Sequence, residues 1–226
     1  MGNITIRPMR PEERDIVAAF ISGGYFDDIF FKWVVPPDTE RLAIVTEYYK
    51  VYLDAAGAHI YLAEENGAMV GASVWLPHDV SPAMYDDIDA AAGEFAPNFR
   101  AVADQSHESE PKGTPFTQLV GFVVDKAQRG RGIGIALLQA HLDMMDAVGI
   151  PTYLEASTPF HGGGVYGKFG YALYGELLVF SPTAVLYPLW RSAGGEGRTR
   201  RHLSGTKVTS GTMPVTARCM NRRVDI

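Results

Sequence analysis

Phe122-Val123-Val124-Asp125-Lys126-Ala127-Gln128-Arg129-Gly130-Arg131-Gly132-Ile133-Gly134 is the stretch on which the reading of the whole chain turns. Phe116 to Val124 is an apolar run of strand length, and Ile133 to Val148 is an apolar run of helix length that stops at Gly149. Between them lies a basic glycine loop, and the helix carries no acid in its first turns. Such an arrangement is an anion site: unpaired amides at the helix start face the loop, the helix dipole adds positive potential, and glycines let backbone approach phosphate oxygens. Arg129 and Arg131 add charge to it.

Three ligand classes use sites of this build, and the spacing separates them. A nucleoside-triphosphate loop requires Lys-Ser or Lys-Thr after its second glycine, where this chain has Ile133-Gly134-Ile135. A dinucleotide fold would use Glu155 as the ribose-binding acid, but the third small position falls on Leu137 or Ile135, and Asp125 to Arg129 makes the turn too long. Coenzyme A is the third class, and here the residues resemble a family. Arg129, Gly132 and Gly134 match, position for position, the Arg/Gln-x-x-Gly-x-Gly/Ala pattern of the GNAT superfamily of acetyltransferases. Gly149 to Ser157 and Val165 to Tyr171 resemble the later motif of that superfamily, and the combination is closest in pattern to its puromycin N-acetyltransferase-like members. The resemblance spans about Ile4 to Arg191.

The resemblance implies an α/β fold, a mixed, mostly antiparallel sheet flanked by helices, whose central strands splay beside Val124. It implies an acetyl-coenzyme A dependent N-acetyltransferase acting by direct attack of a small-molecule primary amine in a ternary complex. Phe122, Val123 and Val124 would offer backbone groups to the pantetheine arm, one amide polarising the thioester carbonyl. Arg129, Gly130, Arg131, Gly132, Ile133 and Gly134 would hold the diphosphate. Tyr166 aligns with the tyrosine that protonates the departing thiolate in many members; its alternative is aromatic packing. Glu155, a carboxylate in an otherwise apolar strand, reads as the general base or the anchor of the amine's charge, or else as a strand-end acid meeting a lysine or a helix start. Where the family often has Asn, four residues before the tyrosine, this chain has Gly162. That departure leaves a non-catalytic coenzyme A-binding or sensor protein as the rival reading. Tyr25, Phe26, Phe30, Phe31 and Trp33 lie where the superfamily often builds the acceptor pocket, and serve equally as core.

The rest of the chain fits around this stretch. Pro11 to about Ser22 and a segment from Asp38 or Thr39 through Leu53 read as helices. Ile60 to Glu64 and Met69 to Leu76 flank Asn66-Gly67, the dipeptide of a tight hairpin. Ser81 to Ser109 reads as helical, Thr152 to Ala156 as a strand, a short helix is expected near Tyr166, and Tyr171 to Phe180 and Val185 to Trp190 read as closing strands.

With 226 residues, 46% hydrophobic and 20% charged, one sizeable core is expected. No apolar run reaches membrane length and the N-terminus lacks the build of a secretory signal, so a cytoplasmic location is expected. Cys219 is the single cysteine and the six histidines lack ligand spacing, so neither a disulfide framework nor a metal is expected. The net charge of −6 is uneven: from Arg191 onward eight Lys/Arg oppose Glu196 and Asp225, whereas twelve oppose twenty-four acids before it. Residues 1–190 therefore read as the catalytic domain and 191–226 as a basic, disordered tail, with a nucleic-acid role not expected despite the cluster Arg198, Arg200 and Arg201. Oligomeric state is open between monomer and homodimer.

Overall fold

The structure is a computed structural model that describes residues 3–78, 83–162, 164–194 and 206–208. In chain order the elements are β1 (Ile4–Pro8), α1 (Arg14–Tyr25), α2 (Ile29–Val34), α3 (Asp38–Asp54), β2 (His59–Glu65), β3 (Ala68–Pro77), α4 (Ala83–Ala92), α5 (Ala96–Ser109), β4 (Thr117–Val124), α6 (Ile133–Val148), β5 (Thr152–Ala156), β6 (Ala172–Leu173), β7 (Leu178–Val179), β8 (Val185–Arg191) and β9 (Thr206–Val208). One sheet runs in the order β6-β8-β5-β4-β3-β2-β1-β9, with β7 on β8. Its pairs are antiparallel except β1 with β9 and β4 with β5. This is the mixed, mostly antiparallel sheet that the sequence implied.

The local chemistry explains the elements. Asn66 and Gly67 both take positive φ, 52° and 81°, which closes the β2–β3 hairpin without splaying the strands. Asp28 opens α2 by accepting from the amides of Phe30 at 2.9 Å and Phe31 at 3.3 Å. Pro37 precedes α3, and Asp38 in its first turn pairs with the buried Arg41 at 2.6 Å. The helical stretch read from Ser81 divides into α4 and α5 around a 3-10 turn at Gly93–Phe95; Ser81 itself lies outside the described residues. The strand read over Tyr171 to Phe180 is corrected to two short pieces, β6 and β7, because Gly175 turns the chain with φ of 68° between them.

Two cores sandwich the sheet. One packs α1 to α5 on one face, through Val17, Ile21, Phe31, Val45, Tyr49 and Phe99; the other packs α6 on the opposite face, through Ile133, Leu137, Leu138 and Leu142. Strand β4 changes face between them. Val74 opposes Gly121 while Trp75 opposes Leu119, so Val120 is an extra residue that bulges the strand. A one-residue slip inverts the side-chain alternation, and accordingly Leu119 lies in the α6 core but Val123 in the other.

Arg191 closes the fold. Its guanidinium forks onto Asp146 of α6 with two contacts of 2.8 Å, its Nε donates to the Phe169 carbonyl at 2.7 Å, and both charged side chains are buried. Residues 191–194 thus belong to the packed body, and the backbone of Thr206–Val208 pairs with β1; the rest of the stretch read as a tail, with its arginine cluster and Cys219, lies outside the described residues. Among the described residues no helix is long and apolar enough to cross a membrane, and no group of His, Cys, Asp and Glu is arranged to hold a metal ion.

Breaking a buried ion pair strands one charge, so Arg191→Ala should destabilise the fold by about 3–5 kcal/mol, whereas Arg191→Met combined with Asp146→Leu should recover most of that loss. Urea unfolding of the three proteins measures both effects.

Candidate functional site

Strands β4 and β5 part company half-way along. Their ladder holds only from Thr117 opposite Thr152 to Leu119 opposite Leu154. Beyond it β4 stays on β3 as far as Val124, and β5 stays on β8 as far as Ala156, so a cleft opens between the two halves of the sheet. Buried strand edges must find hydrogen-bond partners, and here side chains supply them. The Tyr49 hydroxyl donates to the Val120 carbonyl at 3.2 Å, the Tyr25 hydroxyl accepts from the Phe122 amide at 2.8 Å and donates to its carbonyl at 3.2 Å, and Arg129 Nε donates to the Val124 carbonyl at 3.2 Å. Alternate residues of β4 therefore present main-chain groups to the cleft, each held by an exchangeable side chain. Gly24 makes this possible, because a Cβ there would lie 2.2 Å from Val123 Cγ1; its absence lets the end of α1 rest on β4 and deliver Tyr25.

The glycine loop begins where that edge ends. Asp125 caps a 3-10 turn at Lys126–Gln128 by accepting from the Ala127 amide at 3.0 Å. Gly130 and Gly132 follow in the left-handed region with φ of 81° and 83°, which side-chain-bearing residues rarely adopt. Gly132 caps α6 without any side-chain hydrogen bond, and no acid lies in the first turn, so the amides of that turn face outward beside Arg129. Gly134 packs on the ring of Phe122, which a Cβ would approach to 3.1 Å. Arg131 is placed differently from Arg129: its guanidinium is engaged with Glu65 at 2.6 and 2.8 Å and with Gln128.

Across the cleft stand Glu155 and Tyr166. Glu155 accepts from Ser106 Oγ at 2.8 Å and Tyr153 Oη at 3.0 Å. Among the described residues it meets neither a lysine nor a helix start. Burial pushes its carboxyl up to about 7, against the pull of those two hydroxyls, with the charge of Glu110 adding to the rise. Tyr166 precedes a 3-10 turn at Gly167–Phe169 and packs against the rings of Phe122 at 6.0 Å and Tyr171 at 5.9 Å. Burial raises its phenol well above the ordinary range, so it keeps its proton at neutral pH. Ser157 Oγ donates to Asp28 Oδ2 at 2.8 Å and ties the end of β5 to the start of α2 across the cleft.

The cleft encloses about 630 Å³ and is lined by Tyr25, Phe122, Arg129, Glu155 and Tyr166 together. Of the aromatic stretch, Tyr25, Phe30 and Phe31 line it too, whereas Trp33 packs on Phe180 at 5.1 Å and Phe26 lies under the Arg41 guanidinium. His161 is exposed on its loop. Residues that the sequence did not single out for the site complete the walls: Tyr48, Tyr49 and Tyr52 of α3, Met84 and Ile88 of α4, and Phe99, Val102 and Ser106 of α5.

Known proteins share this fold. The model of the acetyltransferase (GNAT) family matches residues 25–171. The fold is similar to that of a Corynebacterium glutamicum protein named as histone acetyltransferase HPA2 and related acetyltransferase, with a TM-score of 0.61, 20% identity, and 84% of this chain and 97% of that one covered. It is similar also to a Drosophila melanogaster polyamine N-acetyltransferase that forms N-acetylagmatine, with a TM-score of 0.57, 14% identity, and coverage of 84% and 100%. An agmatine N-acetyltransferase superposes with a TM-score of 0.56, 15% identity, and coverage of 83% and 98%. No curated protein sequence matches the chain.

The Glu155 carboxyl is raised from an ordinary value near 4.5 to about 7, so the stability it lends is complete below pH 4.5 and is lost as pH rises through 7. Glu155→Gln, which cannot ionise, should be more stable relative to the parent at pH 8 than at pH 5, by on the order of 3 kcal/mol. Denaturant melts at the two pH values measure this, and an equal difference at both would refute the assignment.

Proposed function

Because the chain belongs to the acetyltransferase (GNAT) family, we propose that it transfers the acetyl group of acetyl-coenzyme A to a primary amine of a small molecule, both substrates being held together in the cleft. The observation that carries this reading is the row of exchangeable hydrogen bonds along β4. Val120, Phe122 and Val124 offer strand-edge groups to the cleft, and the Tyr25 hydroxyl and Arg129 side chain fill places that an amide-bearing arm can take. The likeness of the motifs to puromycin N-acetyltransferase-like members supports the same chemistry at a finer level, and relatives of this fold act on agmatine and polyamines.

Each residue then has a task. The amides from Gly130 to Gly134 and the Arg129 guanidinium receive the diphosphate; Arg129 is the stronger candidate of the two arginines because Arg131 is committed to Glu65. The Phe122 amide, vacated by Tyr25, polarises the thioester carbonyl and stabilises the charge that develops on its oxygen. Glu155, close to half-ionised at neutral pH, removes a proton from the incoming ammonium, and its bonds from Ser106 and Tyr153 fix the direction of the carboxylate. As the carbon–sulfur bond breaks, Tyr166 gives its proton to the departing thiolate. Holding both reactants between the parted strands supplies much of the rate enhancement.

Thiol release measured with a panel of amines tests this. Tyr166→Phe should lower kcat roughly 10²-fold and Glu155→Gln by roughly 10²-fold or more, within the range of general acid–base catalysis. For the parent, kcat/KM should rise with pH through about 7, and Glu155→Gln should lose that rise. Full turnover by both variants would contradict these two roles, and binding of coenzyme A with no transfer to any amine would favour the non-catalytic reading.

A further inference from the structure

β3 and β4 are antiparallel neighbours whose last pair is Pro77 opposite Thr117, so a turn of a few residues would suffice to join them. Instead residues 78–116 intervene, carrying α4 and α5. These helices pack beside α3 and line the cleft together with Glu155. The same insertion supplies Ser106, which holds the Glu155 carboxylate.

One part of that lining is apolar. Met84 and Ile88 of α4 and Phe99 and Val102 of α5 face Tyr48 and Tyr52 of α3. Tyr48 lies 4.6 Å from the Tyr52 ring and 4.8 Å from Phe99, and its hydroxyl donates to that of Tyr52 at 2.6 Å. Three carboxylates line the cleft. Asp28 caps α2 and binds Ser157, while Glu110 lies 3.8 and 3.6 Å from the imidazoles of His78 and His107. Glu155 is held by hydroxyls and, among the described residues, faces no cation.

Resting on the transferase reading above, we propose that the acceptor is a primary amine on an apolar, ring-bearing body, and that the α4–α5 insertion selects it. The amine meets Glu155, and the ring lies among Tyr48, Tyr52, Met84, Ile88, Phe99 and Val102. A second ammonium on the acceptor would lose its hydration against these apolar side chains, so linear diamines are disfavoured relative to a ring-bearing amine.

The experiment compares 2-phenylethylamine with 1,4-diaminobutane, by calorimetric binding and by initial rates at saturating acetyl-coenzyme A. The parent should bind the aryl amine at least tenfold more tightly and acetylate it with at least tenfold higher kcat/KM. Val102→Asp, at a half-buried position that tolerates a polar group, and Phe99→Ser should each reduce that preference tenfold or more. Equal or better binding of the diamine, or a preference unmoved in both variants, would overturn the inference and leave the transferase reading standing. Preferential binding of the aryl amine with no acetylation of either would support this pocket's chemistry and overturn the transferase reading instead.

Discussion

A parallel ladder that ends after three residue pairs is the constraint on which the rest of this molecule depends. If β4 and β5 stayed paired to their ends, the Phe122 amide and the carbonyls of Val120 and Val124 would be consumed by the sheet, and no cleft would exist. The Val120 bulge bends β4 away, and β8 holds β5 on the other side. The groups left over are not orphaned. Tyr25, Tyr49 and Arg129 satisfy them with single, replaceable hydrogen bonds, which keeps a desolvated edge folded yet open to exchange.

The electrostatics follow from the same opening. Glu155 is drawn into the cleft wall, where two hydroxyls meet it, and burial there raises its carboxyl toward neutrality rather than leaving it in its ordinary range. Burial raises the Tyr166 phenol as well, so it keeps its proton at neutral pH while Glu155 is shared between its two forms. The pair lines one cleft in different protonation states, and those states come from burial and from the chemical type of each group.

Much of this was legible in the residues because it is local. Asn66-Gly67 announces a hairpin by backbone conformation alone, and the run Phe116 to Gly149 announces strand, loop and helix by periodicity and glycine placement. Glu155 stood out because a carboxylate inside an apolar strand needs a reason. What could not be read is what meets across distance. Tyr25 reaches Phe122 over 97 positions and Ser106 reaches Glu155 over 49, and helical spacing specifies a face without naming what that face will touch. The stretch from Ser81 to Ser109 was read as helical, but its place against the cleft depends on packing against α3. The strand read over Tyr171 to Phe180 failed for a local reason: Gly175 needed to be weighed as a turn residue inside an otherwise extended pattern.

The central claim is that the parted edge of β4 and the first turn of α6 form one continuous ligand-binding surface. Titrating isotope-labelled protein with coenzyme A while following backbone amide resonances tests it directly. The account predicts that Phe122 and the amides from Gly130 to Gly134 shift together along one saturable curve. Stationary resonances at those positions, with or without shifts elsewhere, would contradict it.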